Sequence, residues 1–163
     1  MPPDLRDLVT HDHQVIAGLL AAVADTGRAD RFPLAHRLLD ALAAHTAAEL
    51  QVVYPALRDI VPGGVDLANR GQSDHDALRP LLVALEQSHP EDSAFDGVVA
   101  GVAAAFEGHA PLVENELLPA LGAVIGPSAM EELGGVYAAV QDNLPAGLQG
   151  LPGAAPGPKF TSG

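Results

Sequence analysis

The chain has 163 residues, enough for one domain with a core of its own, and its lack of cysteine excludes disulfides, thiolate ligands, iron–sulfur clusters and a cysteine nucleophile. Eight Lys+Arg against 21 Asp+Glu give a formal charge of −13, a surface that repels phosphate backbones and anionic lipid, so no nucleic acid or membrane partner is expected. In chain order, MPPDLRDLVTHDH offers no basic region leading into an apolar stretch, and no apolar run approaches the roughly twenty residues a bilayer requires; a soluble, cytoplasmic protein is expected. Apolar spacing is then helical almost throughout. Thr10 reads as the N-cap of a first helix carrying Val15, Ile16, Leu19, Leu20 and Val23, with His13 on the same stripe and an end near Gly27. Pro33 opens a second, through Leu38, Leu39, Leu42 and His45 to about Val53, where Pro55 breaks or kinks it before a short tail to Ile60. After Pro62-Gly63-Gly64 a third helix is expected from about Asp66 to Ser88, with His75 near its middle and Gly71 and Pro80 as weak points. A fourth is expected from near Ser93 to about Leu118, with Pro111 inside it, and a shorter fifth from beyond Gly126-Pro127 to about Asn143, carrying Leu133, Tyr137 and Val140. The Pro/Gly-rich end is expected to be disordered, which divides the chain into a domain over 1–143 and a tail over 144–163. No stretch alternates as a strand does. The expected fold is all-α, an up-down-up-down four-helix bundle with a short fifth C-terminal helix and a flexible tail.

Two segments share a phrase. HTAAELQVVYPAL from His45 and HAPLVENELLPAL from His109 both run from a histidine, through a glutamate four or five residues on, to Pro-Ala-Leu at the same distance. Glu49 lies roughly 40° around the helix from His45, on the face that carries Leu38, Leu42 and Val52, so a histidine and a carboxylate are pushed into the core together. Burying such a carboxylate is costly unless a metal or a full set of hydrogen bonds compensates it. With His13, His75 and His109 on three further stripes, four segments aim nitrogen and oxygen donors at one interior point, the pattern of a metal site in a bundle. His36 and His89 fall on solvent-facing or loop positions, and His11 faces away from His13.

These residues resemble the hemerythrin family, specifically the small hemerythrin-like, HHE cation-binding domains, over roughly residues 8 to 121. The resemblance implies a left-handed four-helix bundle holding two non-haem iron ions, bridged by an oxo or hydroxo group and two carboxylates. By position it assigns His13 to the ligand of the first helix, His45 and Glu49 to the HxxxE of the second, His75 to the third, and His109 with Glu114 to the HxxxxD/E of the fourth. There are departures. Hemerythrins proper carry two histidines four apart on the third helix, whereas His75 has Gly71 and Arg79 at those distances, leaving one iron short of a nitrogen. Tyr54, Asp74, Gln72 or a water are the candidates for that position, with Tyr54 favoured; a phenolate ligand favours the ferric state.

Glu114 stands five residues after His109, which an ideal helix turns about 140° away, while Val113 holds the position equivalent to Glu49. Pro111 has no N–H, so local unwinding or a π-bulge is expected to swing Glu114 inward. Glu116 is the rival on the His109 face, but about 10 Å along the axis.

The implied function is a di-iron protein reacting with small oxygen species, foremost hydrogen peroxide decomposition of a catalase-like or peroxidase-like kind in oxidative-stress defence. The alternatives are an O2 or nitric oxide binding or sensing module, and an iron-stabilised structural or storage bundle. The expected partners are therefore small molecules (H2O2, O2 or NO), with the oligomeric state open.

Overall fold

The computed structural model describes residues 2–144, so the tail expected to be disordered lies, from residue 145 on, outside the described residues. Six helices follow one another: α1 (Leu5–Ala24), α2 (Arg31–Ala48), α3 (Tyr54–Ile60), α4 (Gly64–Glu86), α5 (Phe95–Leu112) and α6 (Leu118–Asp142). Two π-helical turns, Glu49–Val53 and Val113–Leu117, join α2 to α3 and α5 to α6 without a loop. With α2 and α3 taken as one rod, the four long helices make the all-α bundle expected from the apolar spacing.

The stripes explain the packing. On α1 the buried residues are Leu5, Val9, His13, Ile16, Leu20 and Val23, and on α5 they are Phe95, Val99, Val102, Phe106 and His109, all spaced by three or four. In each stripe the histidine occupies a core position between apolar neighbours. As a result the interior has three layers. One apolar cluster gathers Ile16, Leu20, Leu38, Leu42, Leu82, Val99 and Phe106 at one end. A second gathers Leu5, Val9, Val52, Leu57, Val113, Leu117 and Tyr137 at the other. Between them His13, His45, Glu49, His75 and His109 form a buried polar layer. Each large aliphatic side chain in the two clusters contributes about 1.5–3 kcal/mol of burial, and they enclose the polar layer from both sides.

Several boundaries differ from the sequence expectation, each for a local reason. Asp4, rather than Thr10, caps α1: its carboxylate accepts from the Arg6 N–H at 2.7 Å, which starts the helix a turn and a half earlier. Val15 consequently faces solvent, 42% exposed, and is not part of the core stripe. The second helix opens at Arg31, whose side chain is buried: the guanidinium donates to the Val23 carbonyl at 2.8 Å and to Asp96, and lies over the Phe95 ring, tying α1, α2 and α5 together at the far end of the bundle. Pro55 does not break the second helix, because the π turn before it shifts the hydrogen-bond register where the proline has no N–H to give. Pro111 is absorbed in the same way. Finally, α6 starts without a break from the fourth helix. It kinks at Gly126, where φ 78° and ψ 176° suit only glycine, and the segment after Pro127 returns across the bundle with Tyr137 facing inward.

Candidate metal centre

Glu49 is completely buried, and its two carboxylate oxygens face different pairs of histidines. Oε1 lies 3.3 Å from His45 Nε2 and 3.9 Å from His13 Nε2. Oε2 lies 2.8 Å from His75 Nε2 and 3.0 Å from His109 Nε2, which are themselves 3.2 Å apart. All four rings come from different helices, α1, α2, α4 and α5, and all four are at most 4% exposed. One donor atom from each of His13, His45, Glu49 and His109 falls within 4.8 Å of the others.

The π turns position what an α-helix could not. Tyr54 follows Glu49 by five residues, a spacing that an ideal helix would turn away, yet across the π turn its hydroxyl reaches 2.9 Å from Glu49 Oε2 and 3.1 Å from His75 Nε2. The ring is fully buried, and the space it fills belongs to position 71: a Cβ on Gly71 would stand 2.7 Å from Tyr54 Cε1 and 2.9 Å from its hydroxyl oxygen. Gly71 is the residue one turn before His75. The missing side chain of α4 is thus the room that admits the tyrosine.

Behind the rings stand carboxylates. Glu114 Oε1 is 2.6 Å from His13 Nδ1, Asp74 Oδ2 is 3.4 Å from His109 Nδ1, and Asp12 Oδ2 is 3.4 Å from His45 Nδ1. At His13 and His45, a carboxylate at Nδ1 favours a proton on that nitrogen and leaves the Nε2 lone pair facing inward, the tautomer a metal ligand needs, whereas His109 Nε2 donates to Glu49 Oε2. Burial, reinforced for His13 by the neighbouring His45, holds the His13 and His75 imidazoles below their ordinary range. For His109 burial acts in the same direction but is outweighed by Glu49 and Asp74, so its pKa rises. Glu49 itself is pushed up by burial, but the fields of His45 and His109 and the hydrogen bonds from His109 and His75 prevail and hold it well below the usual carboxylate range. Burial and the adjacent Glu49 raise the Tyr54 phenol, which keeps its proton and donates it to Oε2.

Hydrogen bonding leaves this layer incomplete. Among the described residues, His13 Nε2, His45 Nε2 and Glu49 Oε1 are buried with no partner, although they converge on one point. Donors about 2.1 Å from a common ion stand roughly 3.0–3.4 Å apart. Around Oε2 the His109 contact at 3.0 Å and the His75–His109 and Tyr54–His75 contacts at 3.2 and 3.1 Å have that spacing, while His75 and Tyr54 stand slightly closer to Oε2, at 2.8 and 2.9 Å. The donor set of imidazole, carboxylate and phenol suits a borderline-hard transition ion. The residues present therefore fit a metal.

Of the residues singled out from the sequence, His13, His45, Glu49, Tyr54, His75 and His109 come together in the layer. Glu114 is drawn toward it, as the π turn after Pro111 leads one to expect, but its nearest partner is His13 Nδ1 and its side chain is 34% exposed. Glu116 points outward and pairs with Arg70 at 2.6 Å. His36, His89 and His11 are exposed, and Arg79 pairs with Asp76. The sequence reading missed Asp12, Tyr137 and Gln141. Tyr137 donates to Asp12 at 2.6 Å, Gln141 does so at 2.7 Å, and the Tyr137 oxygen lies 3.0 Å from His45 Nδ1. The alternating carboxylate and histidine of Asp12-His13 was the one local signal, and nothing near it pointed to residues on the last helix.

Fold and site together define a metal-binding helical bundle of the His/Glu type. Residues 4–121 match the Hemerythrin HHE cation binding domain, and the chain belongs to that family. Among solved structures it is similar to a hemerythrin HHE cation binding domain-containing protein from Mycobacterium kansasii, with a TM-score of 0.74, 24% identity and 86% of each chain covered. No curated protein sequence matches it. No helix among the described residues is long and apolar enough to cross a membrane.

Proposed function

We propose that the chain is a non-haem di-iron protein that reacts with small oxygen species, foremost hydrogen peroxide. The single observation that carries this reading is Glu49, one buried carboxylate whose two oxygens address two separate groups of donors. In this reading His13 and His45 would hold one ion, His75, His109 and Tyr54 would hold the other, and Glu49 would serve both. A pair of redox-active ions supplies Lewis acidity and exchangeable electrons for the O–O bond of the substrate. The protein's own share is to fix the donors between two apolar clusters, to keep bulk water away from them, and to orient the rings through Asp12, Asp74 and Glu114. Glu114 is proposed as the second carboxylate of the centre. In the geometry seen it steadies His13, and Glu114→Gln separates the roles: retention of two ions supports orientation, and loss of one supports bridging.

Peroxide is favoured over reversible oxygen carriage by Tyr54, since a phenolate stabilises the ferric state that such carriage has to leave. A polar cleft of about 540 Å³, bordered by Arg70, Ser73, Asp74 and Asn115, lies beside the carboxylate that backs His109. A second reading, binding of O2 or nitric oxide, is favoured by the apolar cleft of about 520 Å³ between α1 and α5, walled by Ala17, Ala21, Ala103 and Phe106 and ending at His13 and Glu114. Adding hydrogen peroxide to the iron-loaded protein while recording oxygen release decides between them. Sustained release supports peroxide turnover; a single stoichiometric reaction with no release contradicts it and leaves the gas-binding reading.

A further inference from the structure

Tyr137 and Gln141 lie beyond residue 121, where the family match ends, yet both reach the histidine layer. The hydrogens around Tyr137 can be counted. The phenol has one hydrogen, and its 2.6 Å bond to Asp12 Oδ2 uses it, because a carboxylate has none to offer. The 3.0 Å contact between the Tyr137 oxygen and His45 Nδ1 therefore needs a hydrogen on Nδ1. That places the imidazole lone pair on Nε2, the buried atom without a partner 3.3 Å from Glu49 Oε1. Gln141 donates to the same Asp12 oxygen at 2.7 Å and holds the acceptor in place. His13 and His109 have a carboxylate directly at Nδ1, whereas for His45 the closest partner is a phenol that stands between it and its carboxylate.

We propose that the helical segment from Pro127 to Asp142 is a working part of the metal centre, with Tyr137, held by its bond to Asp12, as the positioning residue that fixes the tautomer and orientation of His45. Two features support a specific role over simple packing. The chain has only two tyrosines, and both hydroxyls lie in this layer, one on each side of Glu49. The glycine kink at 126 is what turns the helix back so that residue 137 faces the interior. The proposal rests on the reading of His45 as a ligand, but its first consequence can be read without any metal.

The test uses the full chain with Tyr137→Phe, which keeps the ring, and with Met130→Ala, which removes fully buried packing from the same helix segment. Nitrogen NMR of the metal-free protein, at a pH where the ring is neutral, reports the His45 tautomer. The wild type and Met130→Ala are expected to show the Nδ1–H form, and Tyr137→Phe a mixture. Titration with Co2+ then reads the consequence for binding: a loss of about 10- to 100-fold in Tyr137→Phe, a changed visible spectrum, and wild-type affinity in Met130→Ala. An unchanged tautomer and affinity in Tyr137→Phe would overturn the role of Tyr137 while leaving the centre intact, as would an equal loss in Met130→Ala. A wild-type chain that takes up no Co2+ would overturn the centre itself, whatever the tautomer.

Discussion

Tyr54 and Gly71 behave as one unit, because the phenol ring fills the volume that any side chain at 71 would need. Gly71→Ala is expected to force the ring aside and to destabilise the fold by about 1–3 kcal/mol, the usual range for overpacking a core. It should also weaken any phenolate-to-iron absorption in the loaded protein, and Tyr54→Phe should abolish that absorption while leaving the helices intact. Visible spectra of both variants against the wild type check this; an unchanged band in Tyr54→Phe returns the tyrosine to a packing role. The exchange also suggests a repair. Gly71→His on its own clashes with Tyr54, whereas combined with Tyr54→Ala it is expected to restore a donor one turn before His75. At this scale the helical phase of the sequence was enough to find His13, His45, Glu49, His75 and His109, because stripes of period 3.6 place core residues without knowledge of their partners. Asp12, Tyr137 and Gln141 were not legible, since their contacts join positions more than a hundred residues apart and depend on the path of the last helix.

The two π turns are the structural form of the repeated phrase. Each begins four residues after its histidine, at Glu49 and at Val113, and each ends just before the α-helix that carries Pro55 or Pro119. A π turn holds one residue more than an α turn, so it re-aims the side chains after it without ending the rod. From the sequence this is expected at Pro111, whereas at Pro55 a break or kink is expected. A proline is a reliable sign that one hydrogen bond is missing, but not of whether the helix stops or widens. Deleting Gln51 is expected to close the first π turn into α-helix, with Tyr54 then four residues after Glu49 and still on the face of the layer. Circular dichroism should show retained helicity, and the loaded protein should keep its Tyr54-dependent absorption; loss of that band would mean that the π geometry itself, and not only the phase it restores, is needed to place the tyrosine.

Across the whole molecule, the apolar clusters and the polar layer depend on each other. The clusters keep water from the donors, and the layer interrupts the core with a buried carboxylate and three convergent atoms that no described residue satisfies. Metal binding to the folded state alone stabilises it by mass action, about 2.7 kcal/mol when the free ion is a hundred times its dissociation constant. For a domain of this length that corresponds to roughly 5–10 °C, so a chelator is expected to lower the melting temperature of the loaded protein by that much. An unchanged melting temperature in calorimetry would show that the layer is stable without an ion. The four-helix class was legible from spacing alone, whereas the near end of the bundle, where α6 folds back, was not: its kink rests on one glycine conformation that no periodic pattern records.

The bridging position of Glu49 is the central claim, and metal content per chain tests it most directly. Wild-type protein loaded with iron and freed of loosely held ions should carry two per chain, and Glu49→Ala should lose the pair. One ion per wild-type chain, or two retained in Glu49→Ala, would contradict a centre built across that carboxylate.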